Sequence, residues 1–184
     1  MEGMEGKVML KQRKVSGGDL GLRVLAFLLT LVAAIILGVD KQTKVVPLKL
    51  VPTLPPVDVP VSAKWQYLSA FVFHVVSNAI ACSYAAISVL VLLANKGGKT
   101  GTVMTIIVLD LAMVALLFSA TGAAGAIGLM GHQGNSHVQW KEVCGVFDKF
   151  CKQAAVSLVL SLLGSLAFFL LVALAAVRIL KKTH

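Results

Sequence analysis

The stretch VMTIIVLDLAMVALLFSATGAAGAIGLM, residues 103–130, decides the fold. It carries one charge, Asp110, and its length exceeds the roughly 20 apolar residues a helix needs to cross about 30 Å of hydrocarbon. Three further runs, at about 20–39, 67–94 and 154–179, meet the same requirement. The pattern predicts an all-α membrane protein, a four-transmembrane-helix bundle spanning 20–182 behind an N-terminal tail, 1–19. Outer loops fall at 40–66 and 131–153, and a tight turn at 95–102. With 58% hydrophobic and 14% charged residues and a mean hydropathy of +0.88, the 184-residue chain is too apolar for a soluble domain. The first run is longer than a signal-peptide core and follows a polar tail, so it reads as a retained anchor.

Two charges stand inside these runs. A charge at membrane depth costs several kcal/mol unless it is paired, hydrated or functional. Arg23 opens span one, and its long stem could snorkel to the headgroups. Asp110 lies about 12 Å into span three, and a carboxylate on so short a stem cannot reach the surface. Both spans start on the same side, so the pair can meet at similar depth, and a structural ion pair between Arg23 and Asp110 is the expectation. A proton relay would need more ionisable groups, and His74 is the sole other candidate.

In span two, His74, Asn78 and Cys82 form one narrow polar stripe, expected to hydrogen-bond neighbouring helices. Gly122, Gly125 and Gly128 lie in the small-residue run of span three. Ser157, Ser161 and Ser165, with Gly164 beside them, make a second smooth face on span four. Both surfaces are read as helix-packing faces within one bundle, with association between copies as the alternative.

All five prolines, Pro47, Pro52, Pro55, Pro56 and Pro60, fall in the first outer loop. They favour extended or polyproline chain there, with Val45-Val46 and Leu48, Leu50 able to form a short strand or to lie on the bilayer surface. Trp65 and Tyr67 mark the membrane interface. The second outer loop holds Cys144 and Cys151, and cysteines in an oxidising compartment are expected to form a disulfide. On one straight helix they would stand about 10 Å apart, so the segment must fold back, with Gly145 as the flexible point. Zinc held by His132, His137, Cys144 and Cys151 is the weaker alternative, because the spacing matches no compact ligand knuckle; no metal or other cofactor is expected. Trp140, Phe147 and Phe150 are the candidates for outer-loop interaction. No catalytic constellation emerges.

Orientation follows the basic residues. With both termini cytosolic, ten Lys and Arg (Lys7, Lys11, Arg13, Lys14, Arg23, Lys96, Lys99, Arg178, Lys181, Lys182) lie inside. Seven (Lys41, Lys44, Lys49, Lys64, Lys141, Lys149, Lys152) lie outside, spread over more residues. The net charge of +9 thus serves anionic headgroups rather than nucleic acid.

Several ordered segments resemble the plant Casparian strip membrane protein family, in particular its Casparian-strip-like members. They are Leu22-Arg23-Val24-Leu25 in span one, then Ala70-Phe71-Val72-Phe73 and Asn78 through Tyr84 in span two. Leu109-Asp110-Leu111 and Ser119 through Ala124 follow in span three, and Gly134-Asn135, Trp140, Cys144 and Phe150-Cys151 in the loop. The resemblance implies a multi-pass plasma-membrane protein with cytosolic termini and a MARVEL-like four-helix architecture. It implies roles for Arg23, Asp110, Trp140, Cys144 and Cys151. It also implies a homodimer or higher homo-oligomer and hetero-oligomers with related tetraspans, in contact with membrane lipids and with cell-wall enzymes as further partners. The founding subgroup forms an immobile scaffold that directs lignin deposition. The Pro/Val-rich first loop departs from that subgroup and argues for a related scaffold in another tissue. The expected function is a non-enzymatic scaffold. The alternatives are a small transporter or channel using His74, Asn78 and Asp110, or a MARVEL-type vesicle or junction protein.

Overall fold

The computed structural model describes residues 17–48, 57–94, 100–134, 136–138 and 142–183. Four long helices dominate: α1 (Gly17–Gly38), α2 (Ser69–Ala94), α3 (Thr100–Gln133) and α4 (Asp148–Thr183). Each contains a segment long and apolar enough to span a membrane. All four differ from the hydropathy boundaries, by up to six residues at the start of α4. Helix α3 starts at Thr100 rather than at 103, and α4 starts at Asp148 rather than at 154. The opening turns of α4 alternate polar and apolar residues, which hydropathy reads as loop and helix geometry reads as one buried stripe.

The buried residues of α1 are Asp19, Arg23, Ala26, Thr30, Ala33 and Leu37, alternating in steps of four and three. That is the seam of left-handed helix packing. The seam residues are mostly small or polar, whereas Leu25, Leu28, Val32 and Ile35 face outward. Lipid tails solvate large aliphatic side chains as well as a protein interior does, so membrane helices turn small residues toward each other. Around the bundle, α1 packs on α2 and α4, and α3 packs on the same two. Helices α1 and α3 are therefore diagonal neighbours.

Among the described glycines the tightest surroundings are at Gly164, where an added Cβ would stand 3.0 Å from Thr30 Cγ2. The run in α3 behaves otherwise. Added Cβ atoms at Gly122 and Gly125 would meet nothing within 4 Å, and one at Gly128 would only touch Leu158. Gly122 and Gly125 thus do not pack the bundle, contrary to the reading of that run as an internal face.

Between α1 and α2 the chain forms an antiparallel hairpin, β1 (Lys41–Leu48) on β2 (Val57–Lys64), pairing Lys41 with Lys64 and Val45 with Pro60. Both strands of a two-stranded ribbon are edges, where a missing N–H is tolerated, so Pro47 and Pro60 do not prevent pairing. A short 3₁₀ turn, Trp65–Tyr67, leads into α2. Helix α3 ends at Gly134, whose φ of 66° and N–H bond to Met130 O (2.9 Å) form a left-handed cap. The 95–99 turn, the 1–16 tail and Trp140 lie outside the described residues.

Gly164→Ala is expected to lower the apparent Tm in detergent, with overpacking costing about 1–3 kcal/mol. Gly122→Ala is expected to leave it unchanged or raise it slightly, because alanine is the better helix former. Equal effects in thermal unfolding of the two variants would contradict this assignment of inner and outer faces.

Candidate functional site: the polar core of the bundle

Arg23 reaches across the diagonal from α1 to α3. Its guanidinium meets the Asp110 carboxylate in parallel, Nη1 to Oδ1 at 2.9 Å and Nη2 to Oδ2 at 2.6 Å. The fork matches the carboxylate geometry, a match that lysine's point charge does not make. Helix α2 completes the site. Tyr84 donates its hydroxyl to Asp110 Oδ1 at 2.8 Å, and Arg23 Nη1 donates to Ser88 Oγ at 3.0 Å. Ser88 passes its own proton to Ala85 O. From α4, Phe168 packs against the Tyr84 ring, centroids 6.0 Å apart. Arg23 is 4% and Asp110 1% exposed, so neither charge reaches solvent by snorkelling.

A second polar layer lies nearer the hairpin. Ser157 Oγ donates to Ala33 O at 2.7 Å, joining α4 to α1. His74 Nε2 lies 3.2 Å from that same oxygen. The two ring nitrogens of His74 exchange donor and acceptor roles with the tautomer, so the direction of this contact follows the ring's proton. Asn78 Nδ2 donates to His74 O, and Thr121 donates to Ser161 Oγ at 3.1 Å, joining α3 to α4. Thr30 and Ser165 return their protons to their own helices. His74 Nδ1, Ser77 Oγ and Asn78 Oδ1 have no hydrogen-bond partner although buried.

At the hairpin end the bundle is plugged. Cys144 and Cys151 form a disulfide, with Cα atoms 5.7 Å apart. The fold-back is a turn through Gly145 at ordinary φ, placing Cys144 against the first turn of α4. Phe147 and Phe150, inside this clasp, are each 6% exposed and pack with Leu37, Phe71 and Ala154. They are core residues, not outer-loop contacts. The Phe150 N–H donates to Gln42 Oε1 at 3.0 Å, tying the hairpin to α4. Beside the plug, Asp40 is 1% exposed and neither carboxylate oxygen has a partner. Burial pushes its carboxyl up to about 6, against the pull of Lys149. Among the described residues no His, Cys, Asp or Glu side chains form a group of three able to hold a metal ion.

The Casparian strip membrane protein domain matches residues 12–167, which hold the ion pair, the polar layer and the clasp. The chain belongs to that family. It is 63% identical over 185 residues to CASP-like protein 1E2 of Vitis vinifera, covering 98% of this chain and 94% of the relative. It is 60% identical to CASP-like protein 1E1 of Populus trichocarpa, covering 100% and 94%. To CASP-like protein 1E1 of Arabidopsis thaliana it is 56% identical, covering 96% and 95%. No solved structure matches.

In this family member Arg23 meets Asp110, Cys144 meets Cys151, and the three span-four serines with His74 and Asn78 all turn inward. Tyr84 and Ser88 were missed. Each lies a helical turn from the next inward residue on the α2 stripe, a signal that becomes useful once Asp110 is placed. Also missed was the ion pair of Arg178 with Asp19, which ties α4 to the first turn of α1 at the terminal end. Asp19 there also favours the positive end of the helix dipole.

Arg23→Leu or Asp110→Leu alone is expected to cost about 3–5 kcal/mol by stranding the partner charge, while the double Leu variant costs less than either. Additive losses in a double-mutant cycle of thermal unfolding would contradict the pairing. Asp40 carries a pH signature. An unfolded aspartate titrates near 3.9, the folded one at about 6, so between them the folded chain holds the extra proton. Its contribution is complete below pH ~4 and is lost as pH rises through ~6, by up to about 3 kcal/mol. Asp40→Asn is therefore expected to gain stability relative to wild type across that window, and a pH-independent difference would contradict the burial argument.

Proposed function

We propose that this CASP-like protein is a non-enzymatic plasma-membrane scaffold, with both termini cytosolic, that self-associates into membrane domains and organises cell-wall-modifying machinery at its outer end. The observation that carries this reading is the outer face of α3. Ala112, Ala115, Ser119, Gly122 and Ala126 are all exposed there, in alternating steps of three and four. Facing lipid, such a stripe gains nothing from small side chains. Facing another helix, it lets two backbones approach closely. Membership of the Casparian strip membrane protein family supports the same reading. So does the burial of His74, Asn78 and Asp110 at 0–1% exposure, which suits a locked core better than a transport path.

Cys82 is buried and the other two cysteines are bonded, so Ser119→Cys places one accessible thiol on the stripe. Oxidative cross-linking of this variant in cell membranes is expected to give a covalent dimer, and tagged wild type is expected to diffuse slowly. Gly122→Ile should abolish cross-linking and speed diffusion while leaving thermal stability intact. A wild type that diffuses freely as a monomer would overturn the proposal.

A further inference from the structure

Where α1 passes into the hairpin, a cleft of about 470 Å³ opens beside the buried Asp40, walled by Val39, Lys41, Lys64, Trp65 and Gln66. That volume lies within the ~300–1,000 Å³ typical of small-ligand pockets. The cleft has two electrically distinct ends. One is negative. Both Asp40 oxygens are buried without a donor, and α1 ends there with Val39 N–H bonded to Ile35 O and Asp40 N–H to Leu37 O. No basic residue occupies the last turn of α1, so the negative end of its dipole adds to the carboxylate, and Lys149 of α4 offsets it only at a distance, without a hydrogen bond to either oxygen. The other end is positive. Lys41 and Lys64 are direct cross-strand partners, a like-charge pairing that destabilises a ribbon unless an anion lies between them. Lys64 Nζ already leans over the Tyr67 ring, 5.6 Å from its centroid.

We infer that this cleft binds the headgroup of phosphatidylethanolamine, its ammonium donating to Asp40 and its phosphate lying between Lys41 and Lys64. The ligand must carry both signs, because either charge alone would face a like charge at one end. Its cation must also be a donor. A primary ammonium offers three N–H groups to a carboxylate lacking any, whereas the trimethylammonium of phosphatidylcholine offers none. A bare divalent ion is disfavoured by the two lysines and by the lack of further acidic ligands among the described residues. The position fits a lipid rather than a soluble molecule, since the cleft begins at the end of a spanning helix and Trp65 lines it. The exposed Gln66 is the movable wall through which the ammonium reaches Asp40. The site depends on membrane insertion and is independent of self-association.

The test uses the full-length protein in nanodiscs of equimolar phosphatidylethanolamine and phosphatidylcholine, with retained lipid counted by native mass spectrometry after release into detergent. Wild type is expected to retain phosphatidylethanolamine about tenfold over phosphatidylcholine, the discrimination of one charge-assisted hydrogen bond. Asp40→Asn should bring the ratio near one. Lys41→Gln should lower retention of both lipids while keeping the ratio. Intact Cys144–Cys151 bonding and a Tm no lower than that of wild type identify folded variants. Equal retention by wild type, or a preference that survives Asp40→Asn, would overturn the proposal. Displacement of the retained lipid by millimolar soluble phosphoethanolamine would overturn the lipid assignment in favour of a soluble ligand.

Discussion

Hydrocarbon offers no water to solvate a charge, and everything in this bundle is arranged around that constraint. Arg23 and Asp110 sit on helices that do not pack against each other directly. Their bidentate contact therefore passes through the centre of the bundle, between α2 and α4. Each lateral helix adds something to it, Tyr84 and Ser88 from α2 and the Phe168 ring from α4. A shift of α1, α2 or α3 along its neighbours would break at least one charge-assisted bond in a medium without substitutes. The pair therefore sets the relative heights of three helices as well as holding two charges.

The remaining contacts follow the same logic with weaker groups. Inward positions are small, so backbones approach closely, as at Gly164 against Thr30. Inward hydroxyls then reach carbonyls of other helices, as Ser157 reaches Ala33. At the hairpin end, where water returns, the fold changes strategy. An aromatic plug, a disulfide and one backbone-to-Gln42 bond close the bundle there. Asp40 is the exception, a carboxylate buried where water should be available, and its isolation from any donor is what marks the adjacent cleft as a binding site.

How much was legible in the sequence depended on whether hydropathy alone could decide. The four spans were legible because they are the only runs long enough. Arg23 and Asp110 stood out because charges there are rare. Hydropathy alone leaves either face of α3 free to turn inward, and only Asp110 marks the rotation, its face continuing through Val114, Leu117 and Ala124. Gly122 and Gly125 lie off that face, while Gly128 stays near Leu158 of α4. The hairpin was hidden by its prolines, which exclude a helix but not a two-stranded edge ribbon. By hydropathy Phe147 and Phe150 read as loop residues, because Asp148, Lys149 and Lys152 interrupt the apolar signal at the start of α4.

The scaffold proposed above calls for one persistent bundle shape, and a buried diagonal ion pair is the contact that would hold it. The most direct measurement is the Arg23–Asp110 separation in a lipid bilayer, by solid-state NMR with labelled guanidinium nitrogens and carboxylate carbon. Short nitrogen–carbon distances to both terminal nitrogens, as the bidentate N–O contacts of 2.6 and 2.9 Å require, are the expected result. A separation beyond about 4 Å, with each group hydrated on its own, would contradict a core locked by charge.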